Sequence, residues 1–170
     1  MRNRLILASW VTGFMLAASG ITLAQSTIVP FGQSGHDTKQ AVEIVSDSFT
    51  VNQNQGTAEF AGNVVVGQGD MRLAAGNIQV EYAAEGSDSA QQIGRLIASG
   101  GVTLVSGGQA AEAETAIYSI RDGNIVLEGN VLITQGENAL SGQKITINLS
   151  DGSAKVEGRV KTIFQTGASE

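Results

Sequence analysis

Ala58-Glu59-Phe60-Ala61-Gly62-Asn63-Val64-Val65-Val66-Gly67-Gln68-Gly69 is the stretch from which the fold can be read. Apolar residues alternate on both sides of a Gly-x-Val step: Ala58 and Phe60 before it, Val64 and Val66 across it. The step recurs at Gly100-Gly101-Val102, Gly129-Asn130-Val131 and Gly158-Arg159-Val160. The last two intervals are 29 residues and the first is 38; the units align if the nine extra residues fall in a loop around Ala83 to Gln91. A fixed period of this kind marks one supersecondary unit stacked several times, which makes an elongated, quasi-one-dimensional molecule.

The alternation extends in both directions. Val42 and Ile44, Phe49 and Val51, Leu73 and Ala75, and Ile78, Val80 and Tyr82 belong to the first unit. Leu96, Ala98, Val102, Leu104, Ala116, Tyr118 and Ile120 repeat it, as do Ile125, Leu127, Val131, Ile133, Ile145, Ile147 and Leu149. Successive side chains of a strand point to opposite faces, so a period of two makes each strand one-sided. The opposite parity is assigned to water and carries Asn63, Gln68, Asp70, Asn77, Gln79, Glu81, Glu112, Glu114, Gln143 and Asn148. No stretch of the folded part has a helical period, so no helix is available to cover the apolar face. Such a sheet must fold on itself, as a sandwich, jelly roll or solenoid of about fourteen to sixteen strands. Gln55-Gly56, Asp122-Gly123 and Asp151-Gly152 fall between strand candidates and suit hairpin turns that need positive φ.

The flanks read differently. Arg2 and Arg4 precede an uncharged apolar run from Leu5 to Leu23, so residues 1–24 read as an export signal, with a retained membrane anchor as the alternative. Residues 25–40 lack periodicity and read as a flexible leader, residues 41–166 as the folded domain and 167–170 as a tail. The chain carries net charge −6; without Arg2 and Arg4, eight basic residues face sixteen acidic ones, which gives −8. That balance disfavours nucleic acid and anionic membrane surfaces. With no cysteine, neither disulfides nor thiolate metal sites are available.

Catalytic readings find little support. His36, the single histidine, lies in the leader beside Asp37, without the nucleophile, base and orienter that a triad needs. The acidic residues fall on the solvent parity or beside turns, and Asp122-Gly123 and Asp151-Gly152 lack the further ligands of a calcium loop. Neither a metal nor a cofactor is implied. The interior can be closed and packed, or stay open and admit acyl chains; alternation alone leaves both open.

Two sets of residues carry a resemblance. Val42-Glu43-Ile44-Val45-Ser46-Asp47, with Phe49-x-Val51 and the stretch Ala58 to Gly69, resembles the opening of the LptA/OstA-like family. Leu127-Glu128-Gly129-Asn130-Val131 and Leu140-Ser141-Gly142-Gln143-Lys144-Ile145 are similar to its second half. The resemblance implies an all-β, twisted antiparallel jelly roll of tandem repeats of about 29 residues. It also implies a periplasmic groove that carries lipopolysaccharide from the inner-membrane export complex to the outer-membrane translocon. Val42, Ile44, Phe49, Val51, Phe60, Val64, Val66, Leu73, Ile78, Val80 and Tyr82 would then line an entry half of the groove. Tyr118, Leu127, Ile133, Ile145 and Ile147 would continue it. Arg72, Arg95, Lys155, Arg159 and Lys161 are the head-group candidates. Edge strands at Val42–Ile44 and at Val160–Phe164, with Ile163 between, would join head to tail with further copies or partner proteins. The alternatives are a membrane-anchored relative in the same system and a polymer-forming β-solenoid scaffold with a packed interior.

Overall fold

The structure, a computed structural model, describes residues 36–83 and 92–165. The proposed signal, most of the leader, the loop through Gln91 and the tail lie outside the described residues. The alternating segments form strands β1 (Glu43–Val45), β2 (Ser48–Asn52), β3 (Thr57–Gln68), β4 (Met71–Tyr82) and β5 (Ile93–Ser106). They continue with β6 (Gln109–Ser119), β7 (Asn124–Gln135), β8 (Asn138–Asn148), β9 (Ala154–Glu157) and β10 (Lys161–Ile163). All ten join one antiparallel sheet in the order β1-β3-β4-β5-β6-β7-β8-β10, with β2 also on β3 and β9 also on β8. Each long strand pairs with its sequence neighbours, and β1 and β10 end the order without meeting. The sheet is unclosed. Gly56, Gly123 and Gly152 make the expected turns with φ of 59°, 61° and 69°.

Among the described residues ten strands replace the larger number expected, because segments on either side of a Gly-x step are halves of one strand. Every ladder from β3–β4 to β7–β8 shifts register there, between Ala61 and Val64, Ala74 and Asn77, Ser99 and Val102, Glu112 and Thr115, and Glu128 and Val131. On β3, β5 and β7 the shift is a bulge of two successive left-handed residues: Gly62 and Asn63 (φ 80° and 46°), Gly100 and Gly101 (82° and 81°), Gly129 and Asn130 (82° and 45°). Glycine takes that conformation without a Cβ penalty, and asparagine is among the residues that tolerate it best. A carboxylate from the adjoining segment steadies each asparagine: Asn63 Nδ2 donates to Asp47 Oδ2 at 2.8 Å, and Asn130 Nδ2 to Glu114 Oε1 at 2.7 Å. The ends are creased likewise, with β1 and β2 parting at Ser46-Asp47 and β9 and β10 at Gly158-Arg159-Val160.

The aligned bulges fold the sheet onto its own apolar face. Tyr118 lies in register with Leu96, Val80 and Ala58, whereas Gln68 is ten residues further along β3 than Ala58. In a flat sheet that offset is about 33 Å along the strand direction. Yet Tyr118 Oη donates to Gln68 Oε1 at 2.6 Å. The crease therefore brings two arms face to face. One holds the first halves of β3, β5 and β7; the other holds their second halves. On β4, β6 and β8 the inward residues change parity across the crease, as from Ala75 to Ile78 and from Ala111 to Ala116. Both halves of each long strand thus feed one core cluster.

Candidate functional site

Cross-strand pairing places the apolar side chains in rows running the length of the sheet. Phe49, Phe60, Ile78, Ala98, Ala116, Leu127, Ile145 and Val156 form one row on the first arm; Ile44, Val66, Leu73, Leu104, Ala111, Ile133 and Leu140 form one on the second. Of the predicted lining residues, Val64, Val66, Leu73, Ile78, Val80, Tyr118, Leu127, Ile133, Ile145 and Ile147 are at most 2% exposed. Val42, Ile44 and Phe60 are half-buried against this core. At these central positions the two walls are closed to solvent.

The rows open at the first end. Phe49 and Val51 are 56% and 52% exposed, although register puts them on the inward face with Phe60 and Ala58. Among the described residues β2 pairs with β3 alone, and the Phe60 ring lies against that of Phe49, tilted, at 4.7 Å between centroids. Tyr82, 42% exposed at the last position of β4, is likewise not part of the closed interior. At the other end Val160, Ile163 and Phe164 are exposed. β1 and β10, which carry the predicted edges, stand at opposite ends of the sheet, each paired on one side only among the described residues.

The predicted head-group cations do not converge. Arg72 Nη1 donates to the carbonyls of Gly69 and Met71 at 2.6 and 2.8 Å, at the β3–β4 turn. Arg95 pairs with Glu81 on the outer face, its Nε 3.0 Å from Oε2, and Lys155 pairs with Glu157 at 2.9 Å. That lysine holds the Glu157 carboxyl below its ordinary value. Arg159 sits in the last crease with φ 37°, and Lys161 is exposed on β10.

A polar cluster was missed. Gln68, assigned to the wet face, is 1% exposed inside the fold. It shares the parity of Val64 and Val66, which was the available signal. Its Oε1 accepts from Tyr118, and its Nε2 donates to the carbonyls of Thr38 and Gln40 at 2.8 and 3.0 Å. His36 Nε2 lies 3.2 Å from the same Oε1. The end of the expected flexible leader is thus seated: residues 36–40 turn through Gln40 N–H to Asp37 C=O and dock on the buried amide. Burial pushes the Tyr118 hydroxyl up to about 12, because the fold favours the neutral phenol. Among the described residues no group of three or more His, Asp or Glu side chains could hold a metal ion.

An unclosed antiparallel sheet creased so that its one apolar face meets itself defines the class of twisted β-jelly rolls. Residues 43–153 match the family described as LptA/(LptD N-terminal domain) LPS transport protein, and the chain belongs to that family. A protein of Rhizobium meliloti (strain 1021), described as uncharacterized, is 33% identical over 109 residues, which are 62% of this chain and 58% of that protein. The chain thus spans less than two thirds of that relative's length. LptH of Pseudomonas aeruginosa, the LptA homologous periplasmic component of a lipopolysaccharide transport device, superposes with a TM-score of 0.67 at 18% identity. The match covers 76% of this chain and 99% of LptH, and at that identity it is a likeness of fold.

Proposed function

We propose that this chain is a periplasmic, non-enzymatic carrier of lipopolysaccharide that holds acyl chains against the apolar face between its two arms. The observation that carries the reading is that every registered strand pair joins halves of the same arm, and among the described residues no ladder links the first arm to the second. Separating the arms away from the crease therefore breaks apolar contacts and the Tyr118–Gln68 hydrogen bond, with no strand pairing lost. Acyl methylenes, worth about 0.8 kcal/mol each when buried, would replace the wall-to-wall contacts. Entry would begin where Phe49 and Val51 already leave the apolar row exposed. Family membership and the likeness to LptH support the periplasmic setting.

The same reading makes the two free edges joints. β1 with Val42 and Ile44, and β10 with Val160, Ile163 and Phe164, would add strands from a second copy or from partners at the inner-membrane export complex and outer-membrane translocon. Substituting Val160→Pro or Ile163→Pro would then lower the concentration-dependent mass in light scattering, because proline supplies no ladder donor.

A second reading, a scaffold with a permanently packed interior, is favoured by the near-complete burial of the central rows. Uptake of a fluorescent lipid A analogue separates the two. The carrier takes it up and releases it to unlabelled lipopolysaccharide; a scaffold does neither, and that result would retire the carrier reading.

A further inference from the structure

A cleft of about 550 Å³ opens where the docked segment 36–42 faces the ends of β4 and β5 and the turn after β6. Val42, Ile93 and Ile120 form its apolar wall, and all three pack against the core. The cleft is therefore a place where the interior reaches the surface. Lys39 and Arg121 stand on its lining. Among the described residues neither is ion-paired, whereas Arg95, Lys144 and Lys155 each have a carboxylate partner.

The backbone around Lys39 is fixed. The buried Gln68 amide donates to the carbonyls on either side of it, Thr38 and Gln40. Asp37 Oδ1 accepts the Lys39 backbone N–H at 2.9 Å, so the nearest carboxylate on the segment is engaged by the main chain. Two cations beside an apolar wall, in a chain of net charge −6, suit one chemistry. A small free anion would meet the overall repulsion with two exposed charges alone. An amphiphile adds the burial of its chain to the same local attraction.

We infer that this cleft is the subsite for the phosphorylated head group of a lipid, with Lys39 and Arg121 as counter-ions and the acyl chain passing Val42, Ile93 and Ile120 towards the interior. The site rests on the carrier reading and deepens it. Gln68 is a positioning residue that presents Lys39.

The test uses the full chain, a fluorescent lipid A analogue bearing two phosphates, its dephosphorylated form, and inorganic phosphate as competitor. The double variant Lys39→Glu, Arg121→Glu should bind the phosphorylated lipid about tenfold more weakly and the dephosphorylated lipid unchanged. Gln68→Leu should lose part of the same preference for phosphate while still binding the dephosphorylated lipid. Lys144→Gln, off the cleft lining, should retain the full preference. Millimolar inorganic phosphate should displace neither lipid. Equal affinity of wild type and double variant for the phosphorylated lipid, or an equal loss for both lipids, would overturn the assignment and leave the carrier reading standing. Displacement by inorganic phosphate would make it a free-phosphate site and overturn the lipid claim. Binding of neither lipid by the wild type would remove the carrier reading and this site together.

Discussion

The middle of the sheet and its first end, at β2, are written in the same alternating code but reach opposite burial. Ile78, Leu127 and Ile145 in the middle have strands on both sides and are fully buried; Phe49, in the same row, has a strand on one side and is more than half exposed. Alternation decides which face a side chain joins, and the presence of a neighbouring strand decides whether that face is covered. An end that keeps its apolar residues without a covering strand is suited to receive one.

The contrast is tested most strongly by matched truncations. Leu127→Ala should cost about 2–5 kcal/mol in urea unfolding, whereas Phe49→Ala should cost below about 1 kcal/mol in the monomer. Comparable costs would mean that the β2 end is as well packed as the middle. The crease predicts the next largest difference, between two glycines that both have positive φ. A Cβ on Gly129 (φ 82°) would lie 2.6 Å from Glu114 Cδ and 2.7 Å from its Cβ, whereas one on Gly136 (φ 56°) meets nothing within 4 Å. Gly129→Ala should cost about 2–3 kcal/mol, the left-handed penalty plus the displaced Glu114–Asn130 contact, and Gly136→Ala about 1 kcal/mol.

The smallest effect concerns the contact between the arms. Tyr118→Phe removes a buried hydrogen bond and should cost about 1 kcal/mol at neutral pH. Its pH dependence is more telling. The folded-state value near 12 lies above the ordinary 10, so the stabilisation of the neutral phenol is present below pH 10 and is lost as pH rises from 10 towards 12. The gap between wild type and Tyr118→Phe in chemical unfolding should therefore narrow over that window. A constant gap would contradict the burial assigned to this hydroxyl.

Much of this fold was legible because period-two alternation over Ala41 to Leu149 left no helix to cover the apolar face. The crease was only half legible. The Gly-x-Val steps were visible, but that they are in-strand bulges, and that β6 bends through Ala113-Glu114 with no glycine of its own, depends on neighbouring strands. Phe49, Val51 and Tyr82 were placed in the lining because alternation carries no information on sheet ends. Gln68 was assigned by its polarity, against its parity with Val64 and Val66, and its partners sit up to 50 positions away in the chain. The docking of His36 to Gln40 was hidden for the same reason, since nothing periodic marks a segment held through its backbone carbonyls. The cations on the cleft, Lys39 and Arg121, come together only through that docking.

The claim on which the account stands is that acyl chains lie between the arms. Photo-crosslinking tests it at adjacent positions of β4: a probe at Ile78 points inward in the closed row, and one at Gln79 is exposed on the outer face. Lipopolysaccharide should crosslink at Ile78 and not at Gln79. Crosslinking at Gln79 alone, or at neither position while lipopolysaccharide is demonstrably bound, would contradict that claim.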